Sequence, residues 1–222
     1  MKILLESSNL QEIQEVVGYG FIYGVNTNPS LISAEVLKGD NTKDLINKII
    51  KLVNGEVHIQ VTAFDYENIV KQASIIHSLG MNIIVKIPVT PEGMRAMKTL
   101  SEKSIKFNAI SIYNPIQAMM ASQNNAEYVT IQMDEYINRN PIGVMQSIRT
   151  MIKGENSKTK ILAASIKNPL EMIYAGLDVD AVTFPYSIIK EIMGNPDTIQ
   201  SAINYNENWN EIPEESRTFF NH

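Results

Sequence analysis

Residues 83–93 read Ile83-Ile84-Val85-Lys86-Ile87-Pro88-Val89-Thr90-Pro91-Glu92-Gly93. A run that is apolar on both faces belongs to a strand of a covered parallel sheet, and a polar residue followed by proline marks the capped start of a helix. The segment is therefore strand, junction, helix. The same junction recurs at Asn28-Pro29, Asn114-Pro115 and Asn168-Pro169, which makes the strand–helix unit a repeat. Working outward, candidate strands are Ile3–Leu5, Phe21–Val25, Val57–Val61, Ile83–Ile87, Ala109–Tyr113, Tyr128–Ile131, Ile161–Ala164 and Ala181–Phe184. Between them lie segments of helical period at Tyr66–Ser78, Pro91–Ser101, Pro115–Ser122, Gly143–Met151 and Pro169–Tyr174. Eight evenly repeated βα units predict an α/β fold, a (β/α)8 barrel, with residues 1–222 as a single domain. No linker, low-complexity tract or G-x-G-x-x-G fingerprint interrupts them. The polar tail, Asn204 to His222, carries Trp209, Phe219 and Phe220 and predicts an additional C-terminal helix packed on the barrel or on a neighbouring subunit.

The 222 residues are 44% hydrophobic and 19% charged, enough for a full core. The absence of cysteine excludes disulfides, thiolate metal sites and a cysteine nucleophile, and the expected location is cytoplasmic. A net charge of -5 without a basic block argues against nucleic acid or an anionic membrane as partner. No apolar stretch approaches the roughly 18 residues that cross a bilayer.

Barrel chemistry sits at the C-terminal ends of strands. The polar residues there are Glu6, Asn26 to Asn28, Gln60, Lys86, Asn108, Ser111, Gln132, Ser165 and Lys167. Lys86 stands inside a run expected to be buried, where desolvation lowers the amine pKa and favours Schiff-base chemistry. The alternative is a strand-end lysine that reaches solvent or pairs with Glu6. Glu6 reads either as a proton-transfer group or as an N-cap. Asn28 before proline is also ordinary turn chemistry, whereas the Gln60 amide must find partners in a strand end. Ser165 to Pro169 offers a hydroxyl, a lysine and a helix start to an anion, or is simply a cap with a solvated lysine. His58 and His77 lack metal-ligand spacing and read as structural or solvated, so no metal is expected. The methionines read as packing.

Five stretches, Leu4 to Asn9, Gly24 to Ser30, Val85 to Thr90, Asn114 to Ala118 and Ala163 to Pro169, together resemble the small class I transaldolase and fructose-6-phosphate aldolase family. The resemblance implies a cofactor-free enzyme of carbohydrate metabolism. In it Lys86 would condense with a ketose or ketose phosphate, and C3–C4 cleavage would leave a dihydroxyacetone enamine. That unit is then transferred to an aldehyde, as in a transaldolase, or released, as in an aldolase. By the same resemblance Glu6 stands where the family has a proton-moving aspartate, and Asn28 binds substrate hydroxyls. Gln60 matches the aldolase form at a water-positioning place. Asn108 and Ser111 lie in the segment that holds the catalytic water, but Ile110 replaces its threonine. Gln132 replaces a tyrosine and Glu135 a phosphate-binding arginine, with Arg139 nearby. These departures admit a second reading, a barrel that binds sugar phosphate without turning it over. They also predict a donor shifted towards a non-phosphorylated or sulfonated ketose. Family members are described as packing the last helix on adjacent subunits, which implies a homo-oligomer, a pentamer or decamer.

Overall fold

A computed structural model describes residues 1–39, 41–135, 141–154, 157–169, 171 and 179–217. They form two compact units, Met1–Tyr186 and Ser187–His222. The first contains eight strands: β1 (Lys2–Glu6), β2 (Gly24–Asn26), β3 (Glu56–Gln60), β4 (Ile83–Pro88), β5 (Phe107–Ile112), β6 (Tyr128–Gln132), β7 (Lys160–Ala164) and β8 (Ala181–Pro185). Each pairs in parallel with the next, and β8 pairs with β1 to close the barrel. The predicted (β/α)8 architecture is thus the observed one.

Four of the helices between the strands start where the sequence marks them, at Pro29, Tyr66, Pro91 and Pro115, while the one expected from Gly143 starts at Pro141. The helices are α1 (Leu10–Gly18), α2 (Pro29–Val36), α3 (Thr42–Leu52), α4 (Tyr66–His77), α5 (Pro91–Glu102), α6 (Pro115–Gln123) and α7 (Pro141–Gly154). Asn28, Thr90 and Asn114 cap α2, α5 and α6 with their side-chain oxygens, and each is followed by a proline that has no N–H to leave unpaired. Asn9, not Glu6, caps α1. The capping explanation of Glu6 is therefore removed.

Side chains alternate across each strand. Leu4, Ile84, Tyr128, Leu162 and Ala181 meet as an apolar layer inside the barrel. Positions between them, such as Leu5, Val85, Val129 and Ala163, are fully buried too, so the strands are covered on both faces. Truncating Ile84 to alanine is expected to cost about 2–5 kcal/mol for the cavity it leaves.

Three local expectations differ. The second strand begins at Gly24, not Phe21. Phe21 instead stacks on Tyr19, and Tyr23 lies beneath the Lys2 ammonium with its hydroxyl on Glu56. The chain can bring β2 so close to the start of β3 because position 55 is glycine, where a Cβ would stand 1.6 Å from the Tyr23 carbonyl oxygen. A second difference is that β2 is followed by two helices, α2 and α3. Finally, Met133–Glu135 forms a 3-10 turn directly after β6. Most of the helix expected at Pro169–Tyr174 lies outside the described residues, as do Arg139, Phe219 and Phe220.

Helix α8 (Tyr186–Met193) leads into the second unit, whose main element is α9 (Pro196–Asn210), the expected C-terminal helix. Asn195 caps it, and the Arg217 guanidinium donates to the Ile212 carbonyl and the Asn210 side chain beyond its end. Among the described residues no helix is long and apolar enough to cross a membrane.

Candidate active site

At the C-terminal ends of the strands lies a cavity of about 260 Å³. It gathers Glu6 from β1, Asn28 after β2, Gln60 from β3, Lys86 from β4, Ser111 from β5, Gln132 from β6 and Ser165 after β7. Of the eleven polar residues that the sequence places at strand ends, eight thus share one space, these seven and Asn26. Asn108 sits beneath it, fully buried, and Lys167 stands outside with its ammonium 3.2 Å from Asp134.

Lys86 is only 5% exposed, which excludes the solvent-reaching alternative. Its Nζ donates to the Thr27 carbonyl oxygen at 2.6 Å. Burial pulls its pKa down to about 8, against the opposing charge of Glu6, so roughly a tenth of the amine is neutral at pH 7. Glu6 is displaced the other way: burial raises its pKa, and the Lys86 charge and the Asn28 amide only partly offset this. An amine whose pKa is moved down and a carboxyl whose pKa is moved up in one cavity form a pair able to exchange protons near neutrality.

Asn28 is the cap that its place before proline predicts, and its amide also reaches the cavity. Its Oδ1 accepts from the Leu31 N–H as the α2 cap, while its Nδ2 lies 3.4 Å from Glu6 Oε1. Ser165 donates to Gln132 Oε1 at 2.5 Å.

Strand β5 contains an irregularity that sequence did not signal. Ala109 aligns with Val129 and Ile112 with Ile131, so two residues, Ile110 and Ser111, stand opposite the single Thr130. Ser111 takes a left-handed backbone, φ 59°, an uncommon conformation for serine. Through this bulge Ile110 and Ser111 both line the cavity instead of pointing to opposite faces. The hydroxyl that Ile110 lacks is present one residue later. Ser165 has the same left-handed backbone, also with φ 59°.

Asn26, which the sequence marks only as a strand-end polar residue, and Thr130, which it does not mark, also line the cavity. Asn26 is 4% exposed, and its Oδ1 has no hydrogen-bond partner among the described residues. Thr130 donates to Asn108 Oδ1 at 2.8 Å. Threonine in the middle of Tyr-Val-Thr-Ile-Gln reads as an ordinary strand former, which is why nothing marked it. His58, expected to be structural or solvated, is fully buried and bonded at both ring nitrogens.

The anion-binding expectation at Ser165–Pro169 meets occupied groups. The Lys167 N–H donates to Glu171 Oε2 at 2.7 Å and Asn168 Nδ2 donates to Glu171 Oε1 at 2.8 Å. Asp134 pairs with the Lys167 ammonium. Among the described residues, no group of three or more His, Cys, Asp or Glu is placed to hold a metal ion.

Comparison with known proteins shows the family of the chain. The family model described as Transaldolase/Fructose-6-phosphate aldolase matches residues 3–221. A protein from Thermoplasma acidophilum named as a probable transaldolase is 38% identical over 96% of both chains. Others with the same name, from Kosmotoga olearia and Geotalea uraniireducens, are 35% and 33% identical over at least 95% of each chain. With an eight-stranded barrel and this coverage, the chain belongs to the transaldolase/fructose-6-phosphate aldolase family and is an enzyme of that class.

Proposed function

We propose that the enzyme works through a Schiff base on Lys86 and transfers or releases a dihydroxyacetone unit taken from a ketose. The carrying observation is the buried Lys86 amine, its pKa lowered to about 8, in the same cavity as the Glu6 carboxyl, whose pKa is raised. In this reading Lys86 Nζ attacks the ketose carbonyl carbon, and loss of water leaves an iminium ion. The C4 hydroxyl proton passes to the Glu6 carboxylate as the C3–C4 bond breaks. The bonding pair moves into the C2–C3 enamine, neutralises the iminium nitrogen, and an aldehyde leaves. The enamine then attacks an acceptor aldehyde, whose oxygen takes the proton back from Glu6, or C3 takes that proton instead, and in either case water hydrolyses the iminium and frees Lys86. Asn28, Asn26 and Ser165 are assigned to substrate hydroxyls, and Gln60, Ser111 and Gln132 to water or hydroxyl groups near the new bond.

The terminal group of the donor carries less charge than a phosphate dianion. This is supported by the carboxylates of Glu171 on the Lys167 and Asn168 donors, by Asp134 on Lys167, and by Glu135, an acidic residue next to Asp134. A phosphate would have to displace these or approach them against like charge. The same proposal places the enzyme in the cytoplasm as a homo-oligomer, a pentamer or decamer, which light scattering tests. The reaction is tested with a panel of ketose donors, phosphorylated, sulfonated and free, each with and without aldehyde acceptors. Mass spectrometry should detect dihydroxyacetone or its adduct with the acceptor. Absence of both from every combination would overturn the reading.

A further inference from the structure

Beneath the cavity a line of polar side chains runs down the barrel interior from Thr130 through Asn108 and His58 to Glu56. Thr130 Oγ1 lies 2.8 Å from Asn108 Oδ1, Asn108 Nδ2 lies 3.2 Å from His58 Nδ1, and His58 Nε2 lies 3.3 Å from Glu56 Oε2. Of the four only Thr130 lines the cavity, and the middle two have no exposed surface.

We propose that Glu56 and His58, neither of which lines the cavity, fix the hydrogen-bond direction of Asn108 and Thr130, so that Thr130 offers the cavity only an acceptor. The direction follows link by link. Burial pushes the Glu56 carboxyl up, but hydrogen bonds from His58 and Tyr128 hold it at about 2, so it is an anion and can only accept. His58 Nε2 must then carry a proton. Burial also disfavours the imidazolium, in spite of Glu56, so Nδ1 keeps a lone pair. That lone pair requires the amino side of the Asn108 amide. The Asn108 carbonyl is thereby turned to Thr130, whose hydroxyl proton is committed to it.

The lone pairs of Thr130 Oγ1 remain for a hydroxyl proton, either of a bound ketose or of water. This deepens the proposed function by assigning polarity to one wall of its site. Glu56 is the anchor because donors surround it: Tyr128 at 2.7 Å, Tyr23 at 3.2 Å and the Lys2 ammonium at 3.6 Å accompany His58. Lys86 and Lys2 are the other charges acting on His58, and both oppose its protonation.

The test is nitrogen NMR of the full-length chain labelled in its three histidines. His58 is expected to hold the neutral form with the proton on Nε2 from about pH 6 to about pH 8. A proton on Nδ1, or an imidazolium in that range, would overturn the inference. This readout needs no turnover, so it stands apart from the Schiff-base reading. With an active donor in hand, His58→Leu is expected to lower kcat/KM about tenfold, as an unpaired buried amide is free to turn. His58→Asn, which keeps an acceptor towards Asn108, should recover part of that loss. The double variant His58→Leu/Thr130→Val should be no worse than Thr130→Val alone. Fully additive losses would contradict the coupling.

Discussion

Lys86 Nζ donates a 2.6 Å hydrogen bond to the carbonyl oxygen of Thr27, and Thr27 is itself fastened to β3 by its N–H and its hydroxyl, both on the His58 carbonyl. The resting partner of the proposed nucleophile is thus a backbone atom on a rigid junction rather than a carboxylate. With the amine near pKa 8, log kcat/KM is predicted to fall by about one per pH unit below about pH 8. Lys86→Met should remove activity altogether. A pH profile that is flat down to pH 6 would show that deprotonation of Lys86 does not limit the reaction.

Glu6 and Lys86 have separable assignments. Glu6→Gln keeps the shape but accepts no proton, so turnover should drop by about 10²–10⁴-fold while Schiff-base formation persists. Borohydride trapping alongside steady-state kinetics distinguishes the two steps. Equal loss of both would place Glu6 in carbonyl attack instead.

Much of this was readable from residue order. The barrel followed from the even recurrence of apolar runs and Asx/Thr-Pro junctions, because both reflect local chemistry at the strand-to-helix passage. Lys86 stood out because a charge inside an apolar run must have a reason. The bulge at Ile110 and Ser111 was not readable, since neither residue is one that normally adopts a left-handed backbone. His58 gave no signal either: Glu56 stands two residues before it on the same face of β3, but Asn108, which completes the link to the cavity, joins it only when β3 and β5 are folded on either side of β4. The Asp134–Lys167 pair joins loops after different strands, and no local pattern announces such a contact.

The bulge leads to its own prediction. If Ser111 supplies the hydroxyl missing at Ile110, Ser111→Ala should lower kcat about tenfold with a smaller change in KM. The compensating variant Ile110→Thr/Ser111→Ala should regain part of it. Kinetics with a single active donor check both.

Carboxylates around the Ser165–Asn168 segment bear on donor choice. Asp134→Asn together with Glu171→Gln removes two negative charges next to Lys167. KM for a phosphorylated ketose is predicted to fall several-fold, with little change for a free ketose. Equal effects on both donors would separate these residues from recognition of the terminal group.

Glu56 makes folding sensitive to acid. Its carboxyl is held near 2 in the folded chain against 4.5 ordinarily, so it stabilises the fold above pH 4.5, and that contribution is lost as the pH falls from 4.5 towards 2. Urea unfolding at pH 7 and pH 3 should show a smaller difference for Glu56→Gln than for the wild type.

The central claim is a covalent bond between Lys86 and a ketose, and it is tested most directly by borohydride reduction in the presence of dihydroxyacetone, followed by peptide mass spectrometry. The predicted result is a stable three-carbon adduct on the peptide that carries Lys86, absent from Lys86→Met. An adduct on another lysine, or none with dihydroxyacetone or any ketose the enzyme turns over, would contradict it.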